Sequence, residues 1–137
     1  MKKVIYFLTL LLLTISCSDS STDNSTNSDN KSFHPPTWIQ SRWTTDLGGS
    51  KFGYNFKSND VCTIINSTDN CFKAMLNIYK GTQAIISVNE EIISETEYKF
   101  SYTIQSFTQY YHFIKVSPTS IKESITDPNG NILYIKN

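Results

Sequence analysis

The sequence predicts an all-β domain of about eight short antiparallel strands with one short helix, a content typical of a barrel or a sandwich. Three observations predict it. Apolar and polar side chains alternate over 52–57 and over 98–105, which is the period of a half-buried strand. Residue types that form tight turns fill 58–60 and 127–130. Only 72–79 has the apolar spacing of a helix.

Strands account for most of the chain after residue 40, and the first turn joins two of them into a hairpin. Within one short strand, Glu123 lies between Ile121 and Ile125. We expect its carboxylate to face solvent, on the side away from these two residues. The predicted strands are 41–47, 52–57, 61–65, 84–93, 98–105, 110–116, 121–125 and 131–136.

The predicted helix lies between the early hairpin and the later strands. Asp69 or Asn70 is its expected N-cap, and Gly81 stands where a helix usually ends. We expect its apolar stripe to cover an open end of the sheet, with a partner-binding or membrane-lying helix as the alternative. The stripe has the i, i+3, i+4, i+7 spacing and consists of Phe72, Met75, Leu76 and Tyr79.

The N-terminus has the organisation of a secretory signal peptide. Lys2 and Lys3 precede an apolar run at 4–13, which leads to the small residue Ser16 and then to Cys17. A spanning helix needs roughly 20 apolar residues, more than this run supplies. The pattern resembles a bacterial lipoprotein signal over 1–16, which implies that the Cys17 thiol carries the lipid anchor, including a fatty acyl chain such as palmitate. A plain cleaved signal is the alternative, and it would leave an exposed thiol.

The segment 17–32 is predicted to be a disordered polar tether, because 18–32 contains no apolar side chain. Its acidic residues resemble a surface-export signal, although a plain spacer explains them equally well. The remaining residues, 33–137, fit one domain. Removal of the signal peptide takes away Lys2 and Lys3, which leaves 10 of the 12 basic residues and all 12 acidic ones. The net side-chain charge is then −2. No basic face for nucleic acid is expected.

Two cysteines remain in the predicted domain, Cys62 and Cys71. In an oxidising compartment, two cysteines nine positions apart are expected to form a disulfide, with two buried free thiols as the alternative. No metal site is expected, because His34 and His112 are the only histidines that could join them.

Short segments at both ends of the domain carry a family resemblance. The stretch at 35–43, which ends at Trp43, is similar to the start of the lipocalin-like domain of small secreted bacterial lipoproteins. The stretches 111–117, 119–121 and 133–136 are similar to the end of that domain. The resemblance implies a lipocalin-like antiparallel β-barrel of about eight strands, in which Trp43 plugs one end. Lys136 is the residue that could replace the Arg that lipocalins often place over this Trp.

The interior of an eight-stranded barrel holds packed side chains or one small ligand. We therefore expect either a small hydrophobic ligand in the barrel, or a filled barrel in a protein-interaction (including inhibitor-type) or structural envelope lipoprotein. The expected ligand-binding residues are aromatic: Phe52, Tyr54, Phe56, Tyr98, Phe100 and Tyr102.

Catalysis is not expected, because the chain has no nucleophile signature and no glycine-rich phosphate loop. No cofactor is expected. The resemblance and the predicted anchor imply a monomer that contacts a membrane through Cys17, at the outer membrane of the cell envelope, with surface exposure as an option.

Overall fold

The computed structural model describes residues 32–137. The predicted signal peptide, the lipidation site Cys17 and all of the tether except Ser32 lie outside the described residues. Within 32–137, no helix has the length and apolar character that crossing a bilayer requires.

The described chain forms nine antiparallel strands and one short helix. The helix α1 is Phe72–Ile78. The strands are β1 Arg42–Leu47, β2 Ser50–Lys57, β3 Asp60–Ile65, β4 Thr68–Cys71, β5 Ile86–Ile93, β6 Glu97–Ile104, β7 Phe107–Ser117, β8 Ser120–Glu123 and β9 Tyr134–Lys136. The predicted all-β antiparallel content with one short helix is confirmed.

All nine strands belong to one sheet, in the order β4-β3-β2-β1-β9-β8-β7-β6-β5. The sheet curls into a half-barrel, and its two edge strands, β4 and β5, do not pair with each other. The helix follows β4 directly and contacts β3 and β4. The curled antiparallel sheet agrees with the prediction of a barrel-like sheet. It has nine strands, one more than expected, and it is open between its edge strands β4 and β5.

Rings from three strands pack against one another on the concave face. Phe56 of β2 and Phe113 of β7 meet edge to face with ring centroids 4.9 Å apart, and Tyr98 and Phe100 of β6 have centroids 5.1 Å apart. All four are nearly or fully buried, as is Trp43 of β1. We call these five residues the packed region. Edge-to-face contacts are a favoured geometry for aromatic rings, and burying these large rings removes much apolar surface from water on folding.

The N-terminal segment 33–40 covers part of this packed region. Phe33 and Ile39 are fully buried, and the ring of Phe33 lies 5.2 Å from that of Phe100. The indole nitrogen of Trp43 donates to the carbonyl of Ile39 at 2.6 Å. The carboxylate of Glu90 accepts from the backbone N–H of His34 at 2.7 Å. These contacts fix the segment on the domain.

The cap of α1 comes from a residue distant in sequence. The prediction of Asp69 or Asn70 as N-cap is wrong: the N-cap position is Cys71, and its side chain makes no capping hydrogen bond. The carboxylate of Asp60, at the start of β3, accepts from the N–H of Lys73 at 3.0 Å. A carboxylate at this position satisfies one of the free N–H groups of the first turn.

A disulfide joins Cys62 of β3 to Cys71 of β4. The two residues are direct neighbours in the β3–β4 ladder. The strand β4 contains only polar residues and Cys71, which explains why no alternating pattern predicted it. The covalent bond and the ladder together hold this edge strand in place.

Glu123 lies on the concave face, and the expectation that it faces solvent is wrong. Residues two apart in a strand face the same side, so Glu123 shares a face with Ile121, and both are 0 % exposed. Its carboxylate accepts from the backbone N–H groups of Ile125 at 2.9 Å and Thr126 at 2.7 Å, and from the Thr126 hydroxyl. Donors of the turn after β8 thus replace the water that a buried carboxylate loses.

Candidate functional site

The helix α1 packs Phe72 and Leu76 into the buried core, and an open cavity of about 610 Å³ lies beside it. We call this space the α1 cavity. Its walls come from the helix, from the β3–β4 hairpin and from the ends of β6 and β7. The residues that line it are Thr63, Asp69, Asn70, Cys71, Phe72, Ala74, Met75, Ile78, Tyr102 and Tyr111.

Aromatic rings form the inner wall of the α1 cavity. The ring of Phe72 lies 5.2 Å from that of Tyr102 and 5.3 Å from that of Tyr111. On the opposite sides, Thr63 and Ala74 carry short side chains. These short side chains cannot fill the space in front of the aromatic wall, and a cavity results.

The two tyrosines supply polar groups to an otherwise apolar wall. Burial raises the pKa of Tyr111 above its ordinary value, with the neighbouring Tyr102 hydroxyl adding to the effect. Burial also raises the pKa of Tyr102, although its interaction with the Tyr111 hydroxyl acts the other way. Both hydroxyls are therefore protonated and neutral at neutral pH.

Within the described part of the chain, Asp69 is the only charged residue that lines the α1 cavity. Partial burial alone would raise the pKa of its carboxyl, but hydrogen bonds from Asn55 and Arg42 outweigh burial and hold the pKa below its usual value. The Asn55 amide nitrogen lies 2.8 Å from one carboxylate oxygen, and Arg42 Nη1 lies 2.7 Å from the other. Both partners approach from outside the cavity, so the charge of Asp69 is already neutralised.

A second, smaller cleft of about 290 Å³ lies further along the concave face. Phe52 and Tyr54 of β2 and Tyr134 of β9 supply its rings, and Thr63 lines both this cleft and the α1 cavity. Burial raises the pKa of Tyr54 far above its ordinary value, with smaller contributions from Tyr134 and from the negative charge of Glu123. Tyr54 therefore stays neutral across the physiological pH range.

The six residues predicted to bind a ligand all lie on the concave face, but they do not form one site. Tyr102 lines the α1 cavity, whereas Phe52 and Tyr54 line the second cleft. The other three, Phe56, Tyr98 and Phe100, belong to the packed region.

Two parts of the cavity wall were not predicted from the sequence. The apolar stripe of α1, which includes Phe72 and Met75, was interpreted as a cover for the sheet, and Ile78, which also lines the cavity, lies outside the predicted stripe. Tyr111 alternates with Phe113 along β7, and the same period-two pattern would have placed it on the concave face.

A chain of hydrogen-bonded side chains crosses the convex face. Glu97 Oε2 lies 2.9 Å from His112 Nε2, and Ser124 Oγ lies 2.9 Å from His112 Nδ1. Carboxylate, imidazole and hydroxyl are the groups of a serine-nucleophile triad, but such a triad also needs N–H donors for the oxyanion. The two amides that follow Ser124 donate to Glu123 instead. The three hydrogen-bonded side chains therefore link β6, β7 and the turn after β8. The two amides are occupied by Glu123 and do not form an oxyanion site.

Asp60 lies close to both cysteine sulfur atoms, a grouping that can hold a metal ion when the thiols are free. The disulfide between Cys62 and Cys71 removes both thiolates as ligands, and the carboxylate of Asp60 caps α1. This group of three residues is therefore structural.

Comparisons of the chain with protein-family models, with curated proteins and with solved structures found no match. The geometry of the concave face is therefore the basis on which a function can be assigned.

Proposed function

We propose that this protein is a lipid-anchored lipoprotein that binds a small, largely apolar ligand in the α1 cavity. One observation carries the proposal: the open space of about 610 Å³ beside α1 combines aromatic and aliphatic side chains with a set of polar groups in its walls. Ligand sites in proteins have volumes of about 300–1,000 Å³ and this kind of lining. The ligand would lie between the α1 residues Met75 and Ile78 and the rings of Tyr102 and Tyr111.

The resemblance to lipocalin-like lipoproteins supports the same proposal. The nitrogen of Lys136 lies 5.5 Å from the centroid of the Trp43 ring, within the range of a cation–π contact. This is the relation that the resemblance implies between the last strand and the Trp of the first strand. Together with the predicted anchor at Cys17, it supports a lipocalin-like carrier held at the cell envelope.

A protein-interaction role is the second candidate, because apolar side chains are exposed around the turn between β6 and β7. Phe107 is 59 % exposed, and Ile85, whose carbonyl accepts from the N–H of Gln105, is 72 % exposed. Exposed apolar patches often mark contact surfaces. In this role the packed region would serve only as a core.

A matched pair of tryptophan substitutions distinguishes the two roles. Ala74 lines the α1 cavity, so Ala74→Trp fills part of it, whereas Asn77→Trp places the same ring on an exposed helix position that does not line it. The uncharged fluorophore N-phenyl-1-naphthylamine serves as the probe. We expect the wild type and the Asn77→Trp variant to bind it with equal affinity and the Ala74→Trp variant to bind it at least about tenfold more weakly, a loss of 1.4 kcal/mol.

Equal binding by all three proteins, or no binding by any of them, would overturn the carrier proposal. Native mass spectrometry of the full-length lipoprotein extracted from its own membranes provides the independent readout. A co-purifying small molecule supports the carrier role, and its loss in the Ala74→Trp variant places the molecule in the α1 cavity.

The anchor is tested separately, through Cys17. Cells labelled with a fatty acid analogue should incorporate it into the wild type and not into a Cys17→Ser variant. Equal labelling of the two proteins would contradict the lipoprotein assignment without affecting the carrier proposal.

A further inference from the structure

Among residues 32–137, no cationic side chain lines the α1 cavity to hold a ligand carboxylate. The lining formed by these residues contains neither Lys, nor Arg, nor His, and Asp69 is its one charged residue. An anionic ligand head in this space would lose water without gaining a counter-ion, which costs several kcal/mol for a buried ion. The cavity is therefore unsuited to a fatty-acid anion.

Two cations of the described chain lie near the cavity wall without lining it. Arg42 binds Asp69 at 2.7 Å from outside the cavity. Lys57 is exposed, and its nitrogen lies 3.5 Å from the sulfur of Cys71. Neither residue lines the cavity, so neither supplies the direct contact that a carboxylate head would need.

Apart from Asp69, the polar groups of the described residues that line the cavity are neutral. Tyr102 and Tyr111 both line the cavity, and their protonated hydroxyls can donate to a ligand acceptor. Thr63 and Asn70 add a hydroxyl and an amide at the β3–β4 side. Such groups match the hydroxyl or carbonyl of an uncharged amphiphile, because each neutral donor or acceptor finds a partner of its own kind.

We infer that the α1 cavity selects an uncharged amphiphile, such as a long-chain alcohol, over a fatty-acid carboxylate of the same chain length. This inference rests on the proposed function, since it specifies the ligand class of the same cavity. It goes beyond that function because apolar walls alone say nothing about the charge of the ligand head.

The test compares dodecanol with dodecanoate as competitors that displace N-phenyl-1-naphthylamine at neutral pH. For the wild type we expect dodecanol to compete at least about tenfold better. Because the alcohol also leaves water more readily than the anion, the decisive measurement is how this ratio changes when a cation is added to the wall.

Ala74→Lys adds that cation to the cavity wall, and Asn77→Lys adds the same charge to α1 at a position that does not line the cavity. The ratio should fall by at least about tenfold in Ala74→Lys and stay within about twofold of the wild type in Asn77→Lys. Asn70→Lys, on the β4 side of the cavity, is the second variant and should act like Ala74→Lys. Thermal unfolding of all variants checks that they are folded.

The outcomes separate this inference from the proposed function. Displacement by both competitors with no change of the ratio in Ala74→Lys and Asn70→Lys overturns the inference alone. Equal falls of the ratio in Ala74→Lys and Asn77→Lys overturn it as well, because they show a general effect of charge on the protein. Failure of the wild type to bind the fluorophore overturns the proposed function itself.

Discussion

The packed region and the α1 cavity share one concave face, yet they differ in what occupies the space above the sheet. In the packed region, rings from β2, β6 and β7 meet one another, and Phe33 from the N-terminal segment adds a further ring. The helix α1 contacts β3 and β4, and the open cavity lies beside it. The packed rings and the open space therefore lie in different halves of the concave face, although Phe72 belongs both to the cavity wall and to the buried core.

The largest effect should come from emptying the packed region. Phe113 is fully buried and its ring lies 4.7 Å from that of Tyr54, so Phe113→Ala leaves a cavity that its neighbours cannot close. We expect the free energy of unfolding to fall by about 3–5 kcal/mol, measured by urea denaturation with tryptophan fluorescence. Ile78→Ala, at a wall residue that is 75 % exposed, should cost less than about 0.5 kcal/mol. Similar losses in the two variants would contradict the division into two halves.

The next effect concerns the buried charge beside the packed region. Glu123→Leu removes the acceptor for the N–H groups of Ile125 and Thr126, and we expect a loss of about 2–3 kcal/mol in the free energy of unfolding. Glu123→Gln keeps one carbonyl acceptor and should lose less. Hydrogen exchange of the two amides should accelerate in Glu123→Leu, and unchanged exchange would show that the carboxylate does not hold this turn.

The third prediction concerns the disulfide between Cys62 and Cys71, which lies at the wall of the α1 cavity. Its loss in the Cys62→Ala/Cys71→Ala double variant should lower the free energy of unfolding by about 2 kcal/mol, because the bond closes a short loop. Since Cys71 lines the cavity and precedes α1, binding of N-phenyl-1-naphthylamine should weaken too. Phe113→Ala, measured under conditions in which it stays folded, should leave binding nearly unchanged. Weaker binding by Phe113→Ala together with unchanged binding by the double cysteine variant would contradict the assignment of binding to the cavity side.

The smallest effect, absent at neutral pH, appears in alkali. Burial raises the pKa of Tyr54 above the ordinary value of 10.0, so folding favours the protonated hydroxyl. The contribution to stability is complete below about pH 10 and is lost as the pH rises, by about 1 kcal/mol at about pH 11 for one buried tyrosine. Urea denaturation at about pH 8 and at about pH 11 should show a smaller pH effect in Tyr54→Phe than in the wild type. The exposed Tyr110→Phe variant is the control and should behave as the wild type does.

Local patterns predicted the elements that have a regular apolar period. The alternation in β2 and β6, and the helical spacing of α1, are visible in the residues themselves. The strand β4 was missed because Thr68–Cys71 is polar and is defined by its pairing with β3. The cap of α1 by Asp60 depends on a contact between distant parts of the chain, which no local pattern encodes.

The candidate site was predictable only as a list of inward-facing rings. Phe52, Tyr54 and Tyr102 do line clefts, but whether a ring lines a space or fills it depends on what packs against it. For the rings near α1, the outcome depends on how the helix packs against the sheet. The burial of Glu123 was recoverable from the two-residue period, although its partners are backbone amides and leave no trace in the residue types.

Gly53 of β2 lies where the backbones of β1 and β2 approach too closely for any side chain. A Cβ atom at this position would lie 1.9 Å from the carbonyl oxygen of Trp43 on the neighbouring strand, so the two backbones could not approach as they do. Any replacement would force β1 and β2 apart where the sheet bends around its contents. Homologues that keep this close approach of the two strands should therefore have glycine here without exception, even where the residues that line the cavity have diverged.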